Sequence, residues 1–416
     1  MNANERELKG DRGGLSGRSH PSPQGHAEGA ATHALEPAAA EALYRLDALL
    51  RSEAEARGGR LPFDRFMELA LYAPGLGYYA GGAHKLGRGG DFVTAPELTP
   101  LFGRTLAGQC REALARLGGG ELLELGAGSG ALAVDVLSAL AAEGPLPKRY
   151  LILELSAGLR ARQQAQIAAR LPRLADRVTW LDRLPEGFTG LVLANEVLDA
   201  MPVHRFRIGS GGEPLELFVR PAGEGWEEVA DRPQSPRLAA AVRALQAAGL
   251  AREPGYESEI NLRLGPWVQA LADALDRALV ILIDYGYPAA EYYRADRRQG
   301  TLMCYYRHRA HGNPYRSPGL QDITAQVDFS ALARAAEGAG LGLAGYTTQA
   351  HFLLGCGLDR LLAAAAAGPD ALEDLTAARQ LLLPSAMGER FRVLGLEKGI
   401  SGPWCGFSVR DLRDRL

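Results

Sequence analysis

The segment Glu121-Leu-Leu-Glu-Leu-Gly-Ala-Gly-Ser-Gly130 joins an apolar run to three alternating glycines. Gly126, Gly128 and Gly130 permit positive φ and remove the Cβ atoms that would hold a ligand away from the backbone. Leu122, Leu123 and Leu125 suit a buried strand, and Ala131 to Leu140 suit a helix. The glycines therefore fall between a strand and a helix N-terminus, where a nucleotide-binding turn belongs. A second chemistry-bearing run follows another apolar stretch, Ala194-Asn195-Glu196-Val-Leu-Asp199-Ala-Met-Pro202. Asn195 and Glu196 can orient a nitrogen nucleophile. Glu196 or Asp199 can hold a guanidinium through bidentate hydrogen bonds.

Two ligand classes fit the glycine turn. Gly126, Gly128 and Ala131 satisfy the Gly-x-Gly-x-x-Gly/Ala pattern of a dinucleotide site. That site places a pyrophosphate at the helix N-terminus and an acidic residue about 20 positions further on. Residues 144–149 read Gly-Pro-Leu-Pro-Lys-Arg and offer no carboxylate there. Glu154 stands 28 positions after Gly126 (154 − 126), at the end of Tyr150-Leu-Ile-Leu. It could accept both hydroxyls of a ribose. Glu124 adds negative charge ahead of the first glycine and suits a cationic ligand better than a phosphate. A glycine-rich turn that binds nothing is the third reading.

Further strand-end residues extend the site. In Val178-Thr-Trp180-Leu181-Asp182, Leu181 offers an apolar wall and Asp182 an acceptor for an adenine amino group. Leu76-Gly-Tyr78-Tyr79 and Gly90-Asp91-Phe92-Val-Thr94-Ala-Pro96-Glu97 combine aromatics with acids, and Asp91 and Thr94 are candidates to close over a cofactor. Asp284-Tyr285 ends another apolar run, while Glu259-Ile-Asn261 and Asp322-Ile-Thr324 could line a substrate groove. His308 and His311 read as surface or groove residues, and no metal site is expected.

These residues need a scaffold, and the pattern supplies one. Leu122–Leu125, Tyr150–Leu155, Gly190–Leu193, Leu279–Asp284, Leu341–Thr348 and Phe391–Lys398 are strand-length runs. Helices expected from Ala131, from Ser156 and over Asp328–Gly340 alternate with them, the order of a doubly wound α/β sheet. Residues 1–36 lack large apolar residues and read as a disordered tail. Residues 37–110 read as a helical lid region, with helices over 37–57 and Pro62–Tyr72. Residues 111–202 and 278–416 read as a Rossmann-like core, and 203–277 as an insertion for substrate binding. That insertion holds strand-like Arg205–Ile208, Leu215–Arg220 and Trp226–Val229, then helices over Pro236–Leu250 and Gly265–Ala278. A second insertion, 287–327, is rich in aromatics and arginine.

The 416 residues carry a formal charge of −3, so no basic field argues for nucleic acid. Cys110, Cys304, Cys356 and Cys405 form no Cys-x-x-Cys or Cys/His cluster, which excludes a recognisable zinc site and fits reduced thiols. No apolar run reaches the ~20 residues of a membrane helix, and residues 1–36 do not read as a secretory signal. A cytoplasmic location is the expectation, with a homo-oligomer possible.

Taken together, Gly-Asp-Phe-Val-Thr-Ala-Pro-Glu (90–97), Glu-Leu-Gly-Ala-Gly-Ser-Gly (124–130), Ile-Leu-Glu-Leu-Ser (152–156), Asn-Glu-Val-Leu-Asp-Ala-Met-Pro (195–202) and Ile-Asp-Tyr-Gly-Tyr (283–287) resemble the MidA-type S-adenosylmethionine-dependent methyltransferases. Gly-Thr-Leu-Met-Cys-Tyr (300–305), Asp-Ile-Thr (322–324) and Thr-Gln-Ala-His-Phe-Leu (348–353) extend the resemblance over roughly residues 40–400. It implies a Rossmann-like methyltransferase sheet with S-adenosylmethionine as donor. It implies Asn195, Glu196 and Asp199 at the reaction and Glu124, Gly126, Gly128, Gly130, Glu154, Leu181, Asp182, Asp91 and Thr94 around the cofactor. The family's mitochondrial member helps assemble respiratory complex I, so the resemblance also implies arginine methylation of a protein partner, possibly a respiratory-complex-type subunit. A catalytically silent assembly factor and a small-molecule methyltransferase are the alternatives. Methyl transfer is an in-line displacement in which the enzyme mainly aligns nucleophile and methyl.

Overall fold

The computed structural model describes residues 36–81, 94–366, 368 and 371–416. The expected tail up to residue 35, and Asp91, lie outside the described residues. The central sheet is built from β1 (Glu121–Leu125), β2 (Tyr150–Leu153), β3 (Val178–Leu181), β4 (Phe188–Asn195), β5 (Leu275–Tyr287), β6 (Gly342–Thr348) and β7 (Phe391–Lys398). Their spatial order is β3-β2-β1-β4-β5-β7-β6. β7 runs antiparallel to both neighbours, and β3 through β5 pair in parallel. The chain adds strands outward from β1 to β3, then returns to the other side of β1. The doubly wound α/β expectation therefore holds, with the topological switch between β1 and β4.

Helices cover both faces. They include α1 (Pro37–Ala56), α2 (Phe63–Tyr72), α3 (Pro100–Leu117), α4 (Ala131–Glu143), α5 (Ala157–Arg170), α6 (Pro236–Ala247), α7 (Leu264–Ala274) and α8 (Phe329–Gly338). On one face Phe102 and Leu114 of α3 and Leu137 of α4 bury against Leu122, Tyr150 and Leu191. On the other, Val268 of α7 and Leu332 of α8 pack on Leu123, Val192 and Val280. The alternation Leu122/Leu123 along β1 thus reads as one side chain for each core, as the period of a strand requires. α3 starts where Thr99 accepts from the Leu101 N–H, with Pro100 in the first turn, and stops at left-handed Gly118.

Register, more than any single contact, positions the site. Leu125 pairs with Leu153 and with Ala194, Ala194 with Leu282, and Leu153 with Leu181. One residue further on, Asp182, Glu154, Gly126, Asn195 and Ile283 stand level across the carboxyl edge of five neighbouring strands. Ligands of open α/β sheets bind along this edge at the switch point.

Above it sits a second layer. An antiparallel sheet joins Leu61–Pro62, Pro214–Ala222, His204–Ile208 and Glu257–Ile260 in that order, with Gly225–Asp231 paired to Pro214–Ala222. A smaller sheet pairs Arg309–His311 with Met303–Tyr306 and Met303–Tyr306 with Asp322–Thr324. One apolar cluster joins Leu46 and Leu50 of α1, Phe66 of α2, Val219, Cys304 and Ile323. The N-terminal helices and both insertions thus share a core.

Two expectations within 203–277 need correction. Gly265–Ala278 is not one helix: α7 stops at Ala274 and β5 begins at Leu275, paired with Phe188. Leu275-Asp-Arg-Ala lacks a continuous apolar run, and a bulge between Leu275 and Arg277 hides the strand period. The strand Glu257–Ile260 is also unforeseen, because Glu257 and Glu259 make it read as a polar loop. Glu257 is neutralised by Arg205 and Arg207 on the adjoining strand.

The far edge of the central sheet carries a sharp packing constraint. Gly345 of β6 and Gly395 of β7 are cross-strand partners, and a Cβ built on either would fall 2.2 and 2.6 Å from the Phe407 ring. Gly395→Ala is expected to cost about 1–3 kcal/mol by overpacking, seen as a lower thermal midpoint with cofactor affinity unchanged. An unaltered midpoint would show that the ring is free to move.

Candidate functional site

The cofactor side is built on backbone conformation. Gly126, Gly128 and Gly130 all lie in the left-handed region, at φ +65°, +55° and +87°. At Gly126 an added Cβ would also come 3.1 Å from Val197 Cγ2, so the turn and the loop after β4 are already in close contact. Gly130 opens α4. Beside the turn, Glu154 is buried, with Oε1 accepting from the Ser156 N–H at 2.9 Å and Oε2 from Gln163 Nε2 at 3.0 Å. Burial raises its pKa and these donors oppose the rise. The adjacent Leu155 is 81% exposed, an apolar side chain left at the rim of the edge.

The other expected cofactor residues are distributed around this point. Leu181 ends β3, and its carbonyl accepts from Arg160 Nη2 at 3.0 Å. Asp182 pairs with the same guanidinium at 2.7 Å and keeps 87% of its side chain exposed, so it can still accept from a ligand. Glu124 is buried against the α3/α4 layer, where the Tyr150 hydroxyl donates to it at 2.6 Å. Burial lifts its pKa to about 7, and the neighbouring Glu154 adds to the rise. Its charge is therefore only partly developed near neutrality, less than a standing negative charge beside the turn requires. Thr94 leads into the one-turn helix Ala95–Leu98, with its carbonyl accepting from Glu97 and Leu98.

The acidic side centres on the loop after β4. Asp284, three residues before the end of β5, accepts on Oδ2 from the N–H groups of Val197, Leu198 and Asp199 at 3.1, 2.8 and 3.3 Å. Its Oδ1 takes the Tyr285 N–H at 2.8 Å. Glu196 is bent into the left-handed region at φ +54°, and its own N–H donates to Ile283 O at 2.9 Å. A non-glycine residue held there stores roughly 1–3 kcal/mol of strain, and such residues cluster at functional sites. Asn195 Nδ2 donates to Glu196 Oε1 at 3.1 Å, and the Ala95 N–H also favours the Glu196 carboxylate. Although the Glu196 residue is partly exposed, its carboxyl group is enclosed. Burial, then repulsion from Asp284, raises it to about 8.

Two further carboxyl groups complete the cluster. Asp199 is buried and pushed well up by burial, then by Asp284, Glu196 and Asp322. Burial lifts Asp284 to about 7 against the pull of its four backbone donors, so it gives up its proton more readily than Asp199. Asp322 arrives from the second insertion, where the Tyr79 hydroxyl reaches both its oxygens at 3.0 Å. Its strand is tied to the loop by Ala325 N–H donating to Asp199 O at 2.9 Å. Tyr72, stacked on Tyr79, donates to Ala200 O at 2.9 Å. Tyr285 and Tyr305 also feel Glu196 and Asp199. Carboxyl groups walled by phenols form a receptacle for a cation with several donors.

Asn195, Glu196, Asp199, Glu154 and the three glycines thus come to one edge, as their spacing predicts. Glu259 does not join them, because its carboxyl takes the Thr301 N–H at 3.0 Å. A cavity of about 400 Å³ lies behind the acidic loop, lined in part by Leu198, Val203, Leu264 and Tyr292, and is distinct from the acid cluster. Sequence reasoning missed Gln163 and Tyr72. The signal for Gln163 was a polar residue four positions before Ile167 on the buried stripe of α5.

The residues at the edge fit a ribose-bearing cation. Glu154 presents acceptor oxygens, the glycine turn has no Cβ in the way, and Asn195 Oδ1 is a buried acceptor without a partner among the described residues. Comparison with known proteins agrees. Residues 105–347 match the family model of S-adenosyl-L-methionine-dependent methyltransferases. The chain is 43% identical to a methyl transferase candidate from Burkholderia thailandensis bound to S-adenosyl-homocysteine, with TM-score 0.87, covering 92% of this chain and 99% of that one. It is similar to a mitochondrial protein arginine methyltransferase of Mus musculus, NDUFAF7, at 30% identity over 81% of each chain. The Drosophila melanogaster homologue of that protein matches at 29% identity over 82% of each.

The raised carboxyl groups set a pH dependence. Glu196 binds its proton more tightly in the folded chain, at about 8, than at its ordinary 4.5. Its contribution to stability is full below that ordinary value and is lost as pH rises toward about 8. The ligand-free protein is expected to melt higher near pH 6 than above about pH 8. Glu196→Gln should flatten that slope and raise the midpoint at the alkaline end by a few degrees. Thermal unfolding across pH reads both effects, and an unchanged slope in the variant would contradict the buried charge.

Proposed function

The chain belongs to the S-adenosyl-L-methionine-dependent methyltransferase family, and from that membership we propose that it methylates a guanidinium nitrogen of arginine in a partner protein. The observation that carries the acceptor is the acid cluster of Glu196, Asp199, Asp284 and Asp322 beside the cofactor edge. A guanidinium offers five N–H donors in a plane and is cationic at every physiological pH. Facing carboxyl groups and phenols suit that shape and charge. The names of the mouse and fly relatives point the same way.

The cofactor supplies an electrophilic methyl group on its sulfonium. Glu154 would hold the ribose, with Asp182 and Leu181 at the adenine end, and the glycine turn would admit the ligand close to the backbone. Thr94, which leads into the helix Ala95–Leu98, would close over the same side. Glu196 and Asp199 orient the guanidinium so that one nitrogen faces the methyl, and their charge draws the positive charge toward the nitrogens that do not react. Arrival of a cation lowers the pKa of Glu196, which then bears full charge in the occupied site. As the new N–C bond forms and the methyl–sulfur bond breaks, the nitrogen loses a proton, which Glu196 is placed to accept.

The test is transfer from labelled S-adenosylmethionine to arginine-bearing protein or peptide, with mass spectrometry locating the methyl. Glu196→Gln and Asp199→Asn should each lower transfer by ~100-fold while changing affinity for S-adenosyl-homocysteine little. Lysine in place of arginine in the acceptor should abolish it. A protein that binds cofactor yet methylates only small molecules, or nothing, would overturn the arginine reading.

A further inference from the structure

We propose that Gln163 is a positioning residue for the cofactor, its single side-chain amide tying the glycine turn to Glu154 and fixing the two halves of the nucleoside site at one spacing. The amide nitrogen carries two hydrogens, and both are used. One goes to Gly128 O at 2.9 Å and the other to Glu154 Oε2 at 3.0 Å. The amide oxygen accepts from Trp180 Nε1 at 2.9 Å. An indole N–H can only donate, so Trp180 decides which end of the amide faces it and prevents the flip that would turn oxygen toward Glu154.

Gln163 is completely buried, and its three partners lie on the turn after β1, the end of β2 and β3. The side chain spans strand ends that are joined below the edge by ladder hydrogen bonds and, between β2 and β3, by Arg160, whose Nη2 donates to the Glu154 and Leu181 carbonyls. α5 lies directly against the third glycine of the turn: a Cβ on Gly130 would stand in ordinary contact, 3.4 Å from Gln163 Cγ and 3.5 Å from its Cα, so the position calls for glycine through its left-handed φ of +87° rather than for space.

The tie also governs the charge of Glu154. Burial disfavours the carboxylate, and the Ser156 N–H and the Gln163 amide favour it. Held ionised, Glu154 is acceptor-only, which is what two ribose hydroxyls need. Without the amide, its oxygen loses a fixed donor, its pKa climbs further and the Gly128 carbonyl is left without this partner. None of this depends on which acceptor receives the methyl group.

Calorimetric titration with S-adenosyl-homocysteine tests the proposal on the full chain. Gln163→Leu is expected to weaken binding by about 10–100-fold, as loss of an orienting partner does at other ligand sites. Trp180→Phe, which keeps the ring and removes the N–H, should weaken it less. The double variant should bind no more weakly than Gln163→Leu, because Trp180 acts through the amide. Affinity of Gln163→Leu should also climb with pH over a range in which the wild type is flat, as Glu154 recovers its charge. That pH profile is a response that mere loosening of α5 would not produce. Wild-type affinity in Gln163→Leu, or a pH-independent loss additive with that of Trp180→Phe, would overturn the assignment. Should Gln163→Leu fail to fold, Trp180→Phe decides alone: weakened binding with a wild-type melting temperature supports the tie, and unchanged binding rejects it.

Discussion

The convergence of three successive backbone N–H groups on one oxygen of Asp284 is the interaction on which the site depends. Val197, Leu198 and Asp199 can all point at that oxygen only if the chain turns sharply as it leaves β4. The turn is made by Glu196, whose left-handed conformation faces its carboxyl group back toward Asn195 and the Ala95 amide. A concave set of amides of this kind binds anions elsewhere in proteins. Here the anion is supplied from within, by the next strand of the sheet. These donors offset part of the cost of burying Asp284, whose pKa burial still lifts to about 7, and the charge it develops raises Glu196 and Asp199 in turn.

The same loop joins the two halves of the reaction. Register places Gly126 and Asn195 side by side on neighbouring strands, and Val197 touches the space where a Gly126 side chain would be. The donor and acceptor sides are therefore not independent pockets brought together by chance packing. They are consecutive positions along one strand edge, separated by the 4.7–4.9 Å spacing of paired strands. Effective alignment of nucleophile and methyl is the larger part of what such a reaction needs from its enzyme, and the hydrogen-bonded register of the sheet holds these two positions at a fixed spacing.

Most of the central fold was legible because it rests on local patterns. Phe391–Lys398 was readable to the residue, and the strand ends carrying Glu154 and Asn195 followed from apolar runs that stop at polar residues. The failures share a cause. Leu275 joins β5 through a bulge and Glu257 joins a strand through arginines on its neighbour, so in both cases tertiary pairing overrides the local pattern. The candidate site was legible where chemistry follows a strand and illegible where it depends on a helix face. Gln163 looks like any other polar residue of α5 until the glycine turn and Trp180 are placed against it.

The acid cluster is drawn from two separately built bodies, and this bears on what the site can recognise. Glu196, Asp199 and Asp284 stand on the central sheet, whereas Asp322 and Tyr79 belong to the layer that shares the core of Leu46, Phe66 and Ile323. The Ala325–Asp199 backbone bond and the Tyr72–Ala200 bond tie the two together beside the cluster. Like charges facing one another across such a seam repel, and in the ligand-free chain protons and the nearby donors, the Tyr79 hydroxyl and the amides on Asp284 among them, relieve that repulsion. A bound guanidinium relieves it directly, since its donors can reach carboxyl groups on both sides. On the proposed reading a guanidinium would complete the seam, with a binding energy that scales with how many of those carboxyl groups it touches. A compact ammonium, with its donors radiating from a single nitrogen, spans fewer of them. On the proposed arginine reading, a preference over lysine would rest on the spacing between two layers of the fold.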